Sequence, residues 1–316
     1  MNDRPDSTAG EGGITVPRLR APVAFVLSGG ASLGAAQVGM LRALREAAIE
    51  PDLLVGTSVG ALNAAVCAAD PGGCGERLER RWLSMRGLQV FPVNPARLLR
   101  SVTAWTSGGL VSPSGLARIC REHLHATTFA NLAVPLLVVA TDQLDGTAVV
   151  LDGGSVVDAV MASSAIPGVF PAVSLAGRTL VDGALSANVA TLQAVAAGAR
   201  TVVVLEASGP CRLTRPPRGV VEQVLAAVHV LTRSQAAAQA EQAAEEALVL
   251  YLPTPCTTRT SPLDFGGSAD LIAAAYELSR DFLAGLPPEP PVTGLVGEPH
   301  RHPARAHAHA RAEARS

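Results

Sequence analysis

Short apolar runs that alternate with helical stretches constrain this chain more than any other feature. "VAFVL" (23–27) precedes "LGAAQVGMLRALREA", "DLLVG" (52–56) precedes "VGALNAAVCAA", and "TVVVLEA" (201–207) precedes a long helical pattern from Gly219. "VPLLVVATD" (134–142) is followed closely by "TAVVLD" (147–152), which reads as a hairpin across Asp145-Gly146. Strand–helix alternation of this kind predicts a three-layer α/β/α fold with a mainly parallel central sheet and helices on both faces. Apolar residues make up 48% of the chain but aromatics only 3%, so Ala, Val and Leu must build the core. Small aliphatic side chains suit close packing of helix on sheet.

Composition excludes several functions. The net charge is −2 and the sequence contains no lysine, which argues against a nucleic-acid footprint. Cys67, Cys74, Cys120, Cys211 and Cys256 are scattered, with no C-x-x-C pair and no metal-ligand spacing to histidine, so free thiols and no metal are expected. The start, "MNDRPDSTAGEGG", lacks the basic end and apolar run of a signal peptide. No apolar stretch approaches the roughly 18 residues of a membrane span. A cytoplasmic protein is the expectation.

The domain boundaries follow composition. Residues 1–20 and 287–316 are rich in Gly, Pro, Arg or His and read as a disordered leader and tail around a domain at 21–286. Within that domain, residues 74–130 break the alternation and read as a helical cap insertion over one edge of the sheet. Arginines mix with Trp82, Leu83 and Phe91 between residues 76 and 100; a solvated cap helix is the preferred reading, and transient contact with a membrane surface the alternative.

"GTSVG", Gly56 to Gly60, follows the second strand and opens a helix. This is the pattern of a nucleophile elbow, in which a sharp strand-to-helix turn strains the serine backbone and needs small residues two places to either side. Ser58 would then present Oγ at the carboxyl end of the sheet, near the positive end of the following helix. Thr57 and Ser58 as ordinary helix caps are the bland alternative.

"SGGASLG", Ser28 to Gly34, is a second glycine turn between strand and helix. It is neither the G-x-G-x-x-G of a dinucleotide site nor a phosphate loop with Lys-Ser or Lys-Thr. Bare N–H groups at such a turn suit an oxyanion hole instead. In a right-handed βαβ unit it lies beside the Ser58 turn. Each motif supports the other.

A serine needs a base. Only His229, in "LAAVHVLTRSQ", lies in the body outside the cap, and its helical setting suits a structural residue. Among the Asp-Gly pairs, Asp145-Gly146 and Asp152-Gly153 read as turns. Asp182, in "RTLVDGALSANVA", leaves a short apolar strand for a glycine turn, where a carboxylate suits a general base. Pattern leaves Asp182 and His229 both open.

Taken together, "LSGGASLGAAQVGML", "GTSVGALNAA", "ASSAIPGVFPAV" and "LVDGALSAN" resemble the patatin-like phospholipase family from about Val23 to Gly198, with weaker similarity to about Leu286. The resemblance implies a Ser58–Asp182 dyad and an oxyanion hole from the N–H groups around Gly29, Gly30 and Ala31, with no cofactor. It accounts for the missing histidine. Two departures stand out: Ala31 replaces a third glycine, which a donor tolerates at negative φ, and Leu33 replaces a frequent basic residue that would orient the loop or meet a lipid phosphate. Ala184 replaces a glycine after Asp182-Gly183. The "ASSAIPGVFPAV" block reads as a structural connector.

The function implied is hydrolysis of carboxylic esters in phospholipids or related lipids through an acyl-enzyme. Its rivals are a conventional Ser-Asp-His esterase using His229 and a catalytically weak lipid-binding protein.

Overall fold

The computed structural model describes residues 14, 16–85, 111–124, 128–207, 216–217, 219–256 and 265–298. Strand β1 (Val23–Leu27), a 3-10 turn (Ala31–Gly34) and helix α1 (Ala35–Glu46) lead to β2 (Leu53–Thr57), α2 (Val59–Ala69) and α3 (Cys74–Ser84). Helix α4 (Ser114–His123) precedes the hairpin β3 (Leu136–Asp142) and β4 (Ala148–Leu151), then α5 (Val156–Ser163), β5 (Val173–Leu175) and β6 (Arg178–Asp182). The remainder is α6 (Ala184–Ala187), α7 (Thr191–Ala196), β7 (Thr201–Leu205), α8 (Gly219–Ala243), β8 (Leu248–Tyr251), α9 (Ser268–Ala284) and β9 (Gly294–Val296).

The strands form one sheet in the order β5-β6-β3-β2-β1-β7-β8-β9, with β4 also on β3. Strands β3, β2, β1, β7, β8 and β9 run parallel, and β4, β5 and β6 supply the antiparallel pairs. Strands β1, β2, β7 and β8 are buried along their whole length because both faces are covered. On β1 the alternation separates them: Val23, Phe25 and Leu27 join the core beneath α1, α2, α3 and α9, while Ala24 and Val26 join that beneath α6, α7 and α8. The small residues read from composition set the distance between layers. A Cβ at Gly39 of α1 would lie 2.1 Å from the Ile272 carbonyl oxygen of α9, so the helices touch at backbone.

One boundary moves. Gly294–Val296 pairs in parallel with β8, so the ordered domain extends past the tail start expected at residue 287. The apolar "GLV" is short and follows a proline-rich stretch, which hid it. At the other end, Val16 and Leu19 pack against the core and the Arg20 carbonyl accepts from Thr201 Oγ1 at 2.8 Å. Most of the expected leader, the His-rich tail after Glu298 and the middle of the expected cap lie outside the described residues. The described ends of the cap, α3 and α4, bury Leu78, Trp82, Leu116 and Ile119 in the same core as α1 and α2. Trp82, only 2% exposed, faces the interior and not a membrane surface.

The pairing of β3 positions the functional residues. Its residues Leu136–Val139 pair with β2, and Ala140–Asp142 with β6. Since β4 overlaps both stretches, it occupies the other edge, and β2 and β6 share one edge end to end. The carboxyl ends of these two strands therefore abut: Thr57 stands opposite Val139, Asp182 opposite Ala140.

Candidate active site

Ser58 follows directly from that abutment. Its backbone has φ 54° and ψ −123°, a conformation that side-chain-bearing residues avoid. The chain turns so tightly that Cβ atoms at Gly56 and Gly60 would lie 2.5 Å from Ala61 Cα and 2.1 Å from the Leu27 carbonyl oxygen. No larger residue fits at either glycine. Ser58 occupies the cap position of α2, yet its side chain makes no cap bond. Its Oγ instead donates to Asp182 Oδ2 at 2.7 Å. The capping alternative fails on that contact.

Asp182 is itself held on both sides. Its other oxygen, Oδ1, accepts from the Ala184 N–H at 2.9 Å, its carbonyl accepts from Thr141 Oγ1 at 2.9 Å, and its N–H donates to the Ala165 carbonyl at 3.0 Å. Burial raises its pKa to about 6, opposed by the bonds from Ala184 and Ser58. A carboxylate so tuned is deprotonated at neutral pH yet basic enough to take a proton. His229 lies on α8, and among the described residues the hydrogen bonds of Ser58 and Asp182 include no histidine.

Sequence reasoning missed three supporting side chains. Ser163, in the block read as a connector, accepts from the Ser58 N–H at 2.8 Å and donates from Oγ to the Val139 carbonyl. Its own carbonyl takes the Gly183 N–H at 3.2 Å. Residues Ser163 and Ala165 thus grip both the serine and the aspartate. The other two are Gln37 and Asn63, buried among the apolar residues of α1 and α2. Gln37 Nε2 donates to the carbonyls of Ser28 and Leu205 at 2.9 and 3.0 Å, fixing the glycine turn. Asn63 donates to Gln37 Oε1 at 2.8 Å and accepts from Trp82 Nε1 at 3.2 Å. A polar residue on the buried stripe of an apolar helix was the available signal.

The glycine turn lies beside Ser58, as the adjacency of β1 and β2 requires. A Cβ built on Gly29 would lie 3.2 Å from Ser58 Cβ, and one on Gly30 2.2 Å from the Ala207 carbonyl oxygen. The Gly29 N–H is turned to the Asn188 carbonyl at 3.4 Å. Those of Gly30 and Ala31 have no acceptor among the described residues. Ala31 has φ 51°, so the negative φ at which an alanine donor would be tolerated without strain is not met where the chain enters the 3-10 turn. Leu33 is buried in the core, so its position faces away from any ligand.

Ser58 and Ala31 line an apolar cleft. Leu62, Trp82, Leu116, Ile119, Phe170 and Phe265 form its walls, with Trp82 and Phe265 stacked at 5.9 Å. Such walls accept a hydrocarbon chain and repel charge.

Comparison with known proteins finds a family and several relatives. A family model described as patatin-like phospholipase matches residues 25–195, more than half of the chain. Patatin-like phospholipase domain-containing protein 7 of Mus musculus is 28% identical over 187 residues, 58% of this chain and 13% of that protein. An uncharacterized NTE family protein of Mycobacterium tuberculosis is 31% identical over 199 residues, 61% of this chain and 52% of its own length. The chain therefore spans about half or less of these relatives. Among solved structures, VipD from Legionella pneumophila is similar over 84% of this chain and 66% of its own, at 16% identity and a TM-score of 0.45.

Proposed function

The chain belongs to the patatin-like phospholipase family, and from that premise we propose that it hydrolyses carboxylic esters of phospholipids or related lipids through a Ser58–Asp182 dyad. The observation that carries this reading is the direct 2.7 Å bond between the strained Ser58 and the buried Asp182 at the floor of an apolar cleft.

In the reaction, an acyl chain enters the cleft and its carbonyl carbon approaches Ser58 Oγ. Asp182 takes the hydroxyl proton as Oγ bonds to carbon, and the N–H groups of Gly30 and Ala31 receive the negative oxygen. Collapse breaks the ester C–O bond, and the leaving alkoxide takes the proton from Asp182. Water then attacks the acyl-enzyme, giving its proton to Asp182, and Ser58 recovers that proton as the fatty acid leaves. Ser163 keeps the Ser58 backbone in place throughout. No step calls on a metal or an organic cofactor.

A fluorophosphonate probe and a lipid-ester hydrolysis assay on wild type and Ser58→Ala test the proposal. Covalent labelling at Ser58 and turnover that vanishes in the variant are expected. Unchanged ester hydrolysis by folded Ser58→Ala would overturn it. The His229 rival is excluded by near-normal activity of His229→Ala.

A further inference from the structure

A cleft that suits a hydrocarbon chain is a poor place for water, yet the second half of the proposed reaction needs water beside the acyl carbon. A water molecule held in such surroundings requires about two or more polar partners. Asp182 supplies one, as the base. Among the described residues that line the cleft, only Ser58, Trp82 and Ser164 carry a side-chain N or O atom. Ser58 Oγ donates to Asp182 and Trp82 Nε1 to Asn63, so both are engaged. Ser164 is the exception.

The main chain of Ser164 is satisfied. Its N–H donates to the Val160 carbonyl at 3.0 Å, and its carbonyl accepts from the Ile166 N–H at 2.9 Å. Its Oγ has no partner among the described residues. The residue is only 7% exposed, but Oγ is not one of the sealed, unpartnered polar atoms of the described core, so it opens to the cleft that Ser164 borders. A hydroxyl so enclosed ordinarily bonds to something.

Neighbours in the chain fix where it stands. Ser163 accepts from the Ser58 N–H, and the Ala165 carbonyl accepts from the Asp182 N–H, so Ser164 lies between the holds on the two dyad residues. The glycine turn follows β1, Ser163 Oγ donates to Val139 of β3, and β2 lies between those strands. Ser164 and the N–H groups of Gly30 and Ala31 therefore flank Ser58 from opposite sides. With the carbonyl oxygen in the glycine turn and the acyl chain along the cleft, the leaving oxygen takes the Asp182 side, because Asp182 hands it a proton. Water enters where the alcohol left, and that is the side of Ser164.

We propose that the Ser164 hydroxyl binds the attacking water of deacylation. One hydrogen of the water passes to Asp182 as the water oxygen bonds to the acyl carbon; the other is donated to Ser164 Oγ, which keeps its own proton. The bond from the acyl carbon to Ser58 Oγ then breaks, and Oγ takes the proton from Asp182. This rests on the lipid-hydrolase reading, but its test is separable. A p-nitrophenyl ester isolates the water step, because its phenolate leaves without a proton. In Ser164→Ala, turnover of that ester should fall about tenfold, the worth of one hydrogen bond, while acyl-enzyme accumulates on Ser58 and is seen by intact mass. Fluorophosphonate labelling of Ser58 consumes no water and should stay within about twofold of wild type, which also reports a folded site. Ser164→Cys keeps the shape with a far weaker donor and acceptor, and should behave as Ser164→Ala does. Unchanged turnover in Ser164→Ala, labelling slowed as much as turnover, or full turnover in Ser164→Cys would each overturn the proposal. Wild type that neither takes the probe at Ser58 nor cleaves the ester would sink the hydrolase reading, whereas labelled wild type beside a fully active Ser164→Ala would sink the water site alone.

Discussion

The two strand-to-helix turns that meet in the cleft are strained alike and tethered differently. Each holds a non-glycine residue at positive φ, Ser58 at 54° after β2 and Ala31 at 51° after β1. At Ser58 every polar atom is engaged: N–H by Ser163, Oγ by Asp182, and the carbonyl by the N–H groups of Ala61 and Leu62. At the glycine turn the carbonyls of Ser28 and Gly30 are held, by Gln37 and Leu33, while the N–H groups of Gly30 and Ala31 have no acceptor among the described residues. In the proposed reaction one turn fixes the nucleophile, and the other waits for charge. That division is what an acyl-transfer site requires, because a pre-set donor pair stabilises an oxyanion without reorganising.

The largest break in the comparison comes from Asp182→Asn. Removing the base should lower ester turnover by about 10²–10⁴-fold, measured as kcat with a soluble ester. The same variant should be more stable. In the folded protein the Asp182 pKa is raised from 3.8 to about 6, so the folded state binds the proton more tightly than the unfolded chain. Stability then falls as pH rises from about 4 to about 6 and stays lower above that. The shift of about two units corresponds to at most about 3 kcal/mol, which the amide should recover in denaturant unfolding at pH 7. Wild-type kcat/KM should accordingly rise through pH 6 and level off. A rise centred near pH 4 would mean that the carboxylate is not tuned by burial.

Gly30→Ala attacks the other turn. Its methyl would meet the Ala207 carbonyl oxygen at 2.2 Å, so the turn must move away from Ser58. Loss of aligned donors should cost about 10²–10³-fold in kcat, with fluorophosphonate labelling slowed in proportion. Normal kinetics in the folded variant would assign the oxyanion to other donors. A smaller effect is expected from Ser163→Ala, which removes the hydroxyl that accepts from the Ser58 N–H and donates to the Val139 carbonyl. Stability should fall by about 1–3 kcal/mol and kcat by about tenfold with KM unchanged, because the nucleophile loses its tether while the cleft keeps its walls. A rise in KM at constant kcat would make Ser163 part of substrate binding.

How much of this was legible in the sequence depended on range. The strand–helix alternation and the "GTSVG" elbow are local patterns, and both appear where the sequence puts them. The tie between Ser58 and Asp182 is not local: it exists because β6 runs antiparallel and takes up the edge of β3 where β2 stops. Nothing in residues 178–182 encodes that register, so pattern preferred Asp182 to a helical His229 without deciding between them, and the family resemblance carried the choice. Ser163 was invisible for a related reason, since one hydroxyl in a connector gains meaning only from the backbone N–H it meets 105 residues away. Strand β9 escaped because three apolar residues after prolines carry no period.

Ala31→Gly sharpens the comparison most gently. The left-handed region costs an L-residue about 1–2 kcal/mol, and at Ala31 the protein bears this where a glycine would be free of it. Glycine, however, loses about 0.5–1 kcal/mol more than alanine when the chain is ordered. The two terms nearly cancel, so the variant should unfold within about 1 kcal/mol of wild type, on the more stable side. Its N–H points as before if the turn is dictated by Gly30 and by the Gln37 anchor, and kcat should then change less than threefold by the same order-of-magnitude reasoning. A large drop in kcat at unchanged stability would show that the alanine methyl, which lines the cleft, holds the open turn in its donor geometry. The strain at Ala31 would then belong to catalysis in the same sense as the strain at Ser58.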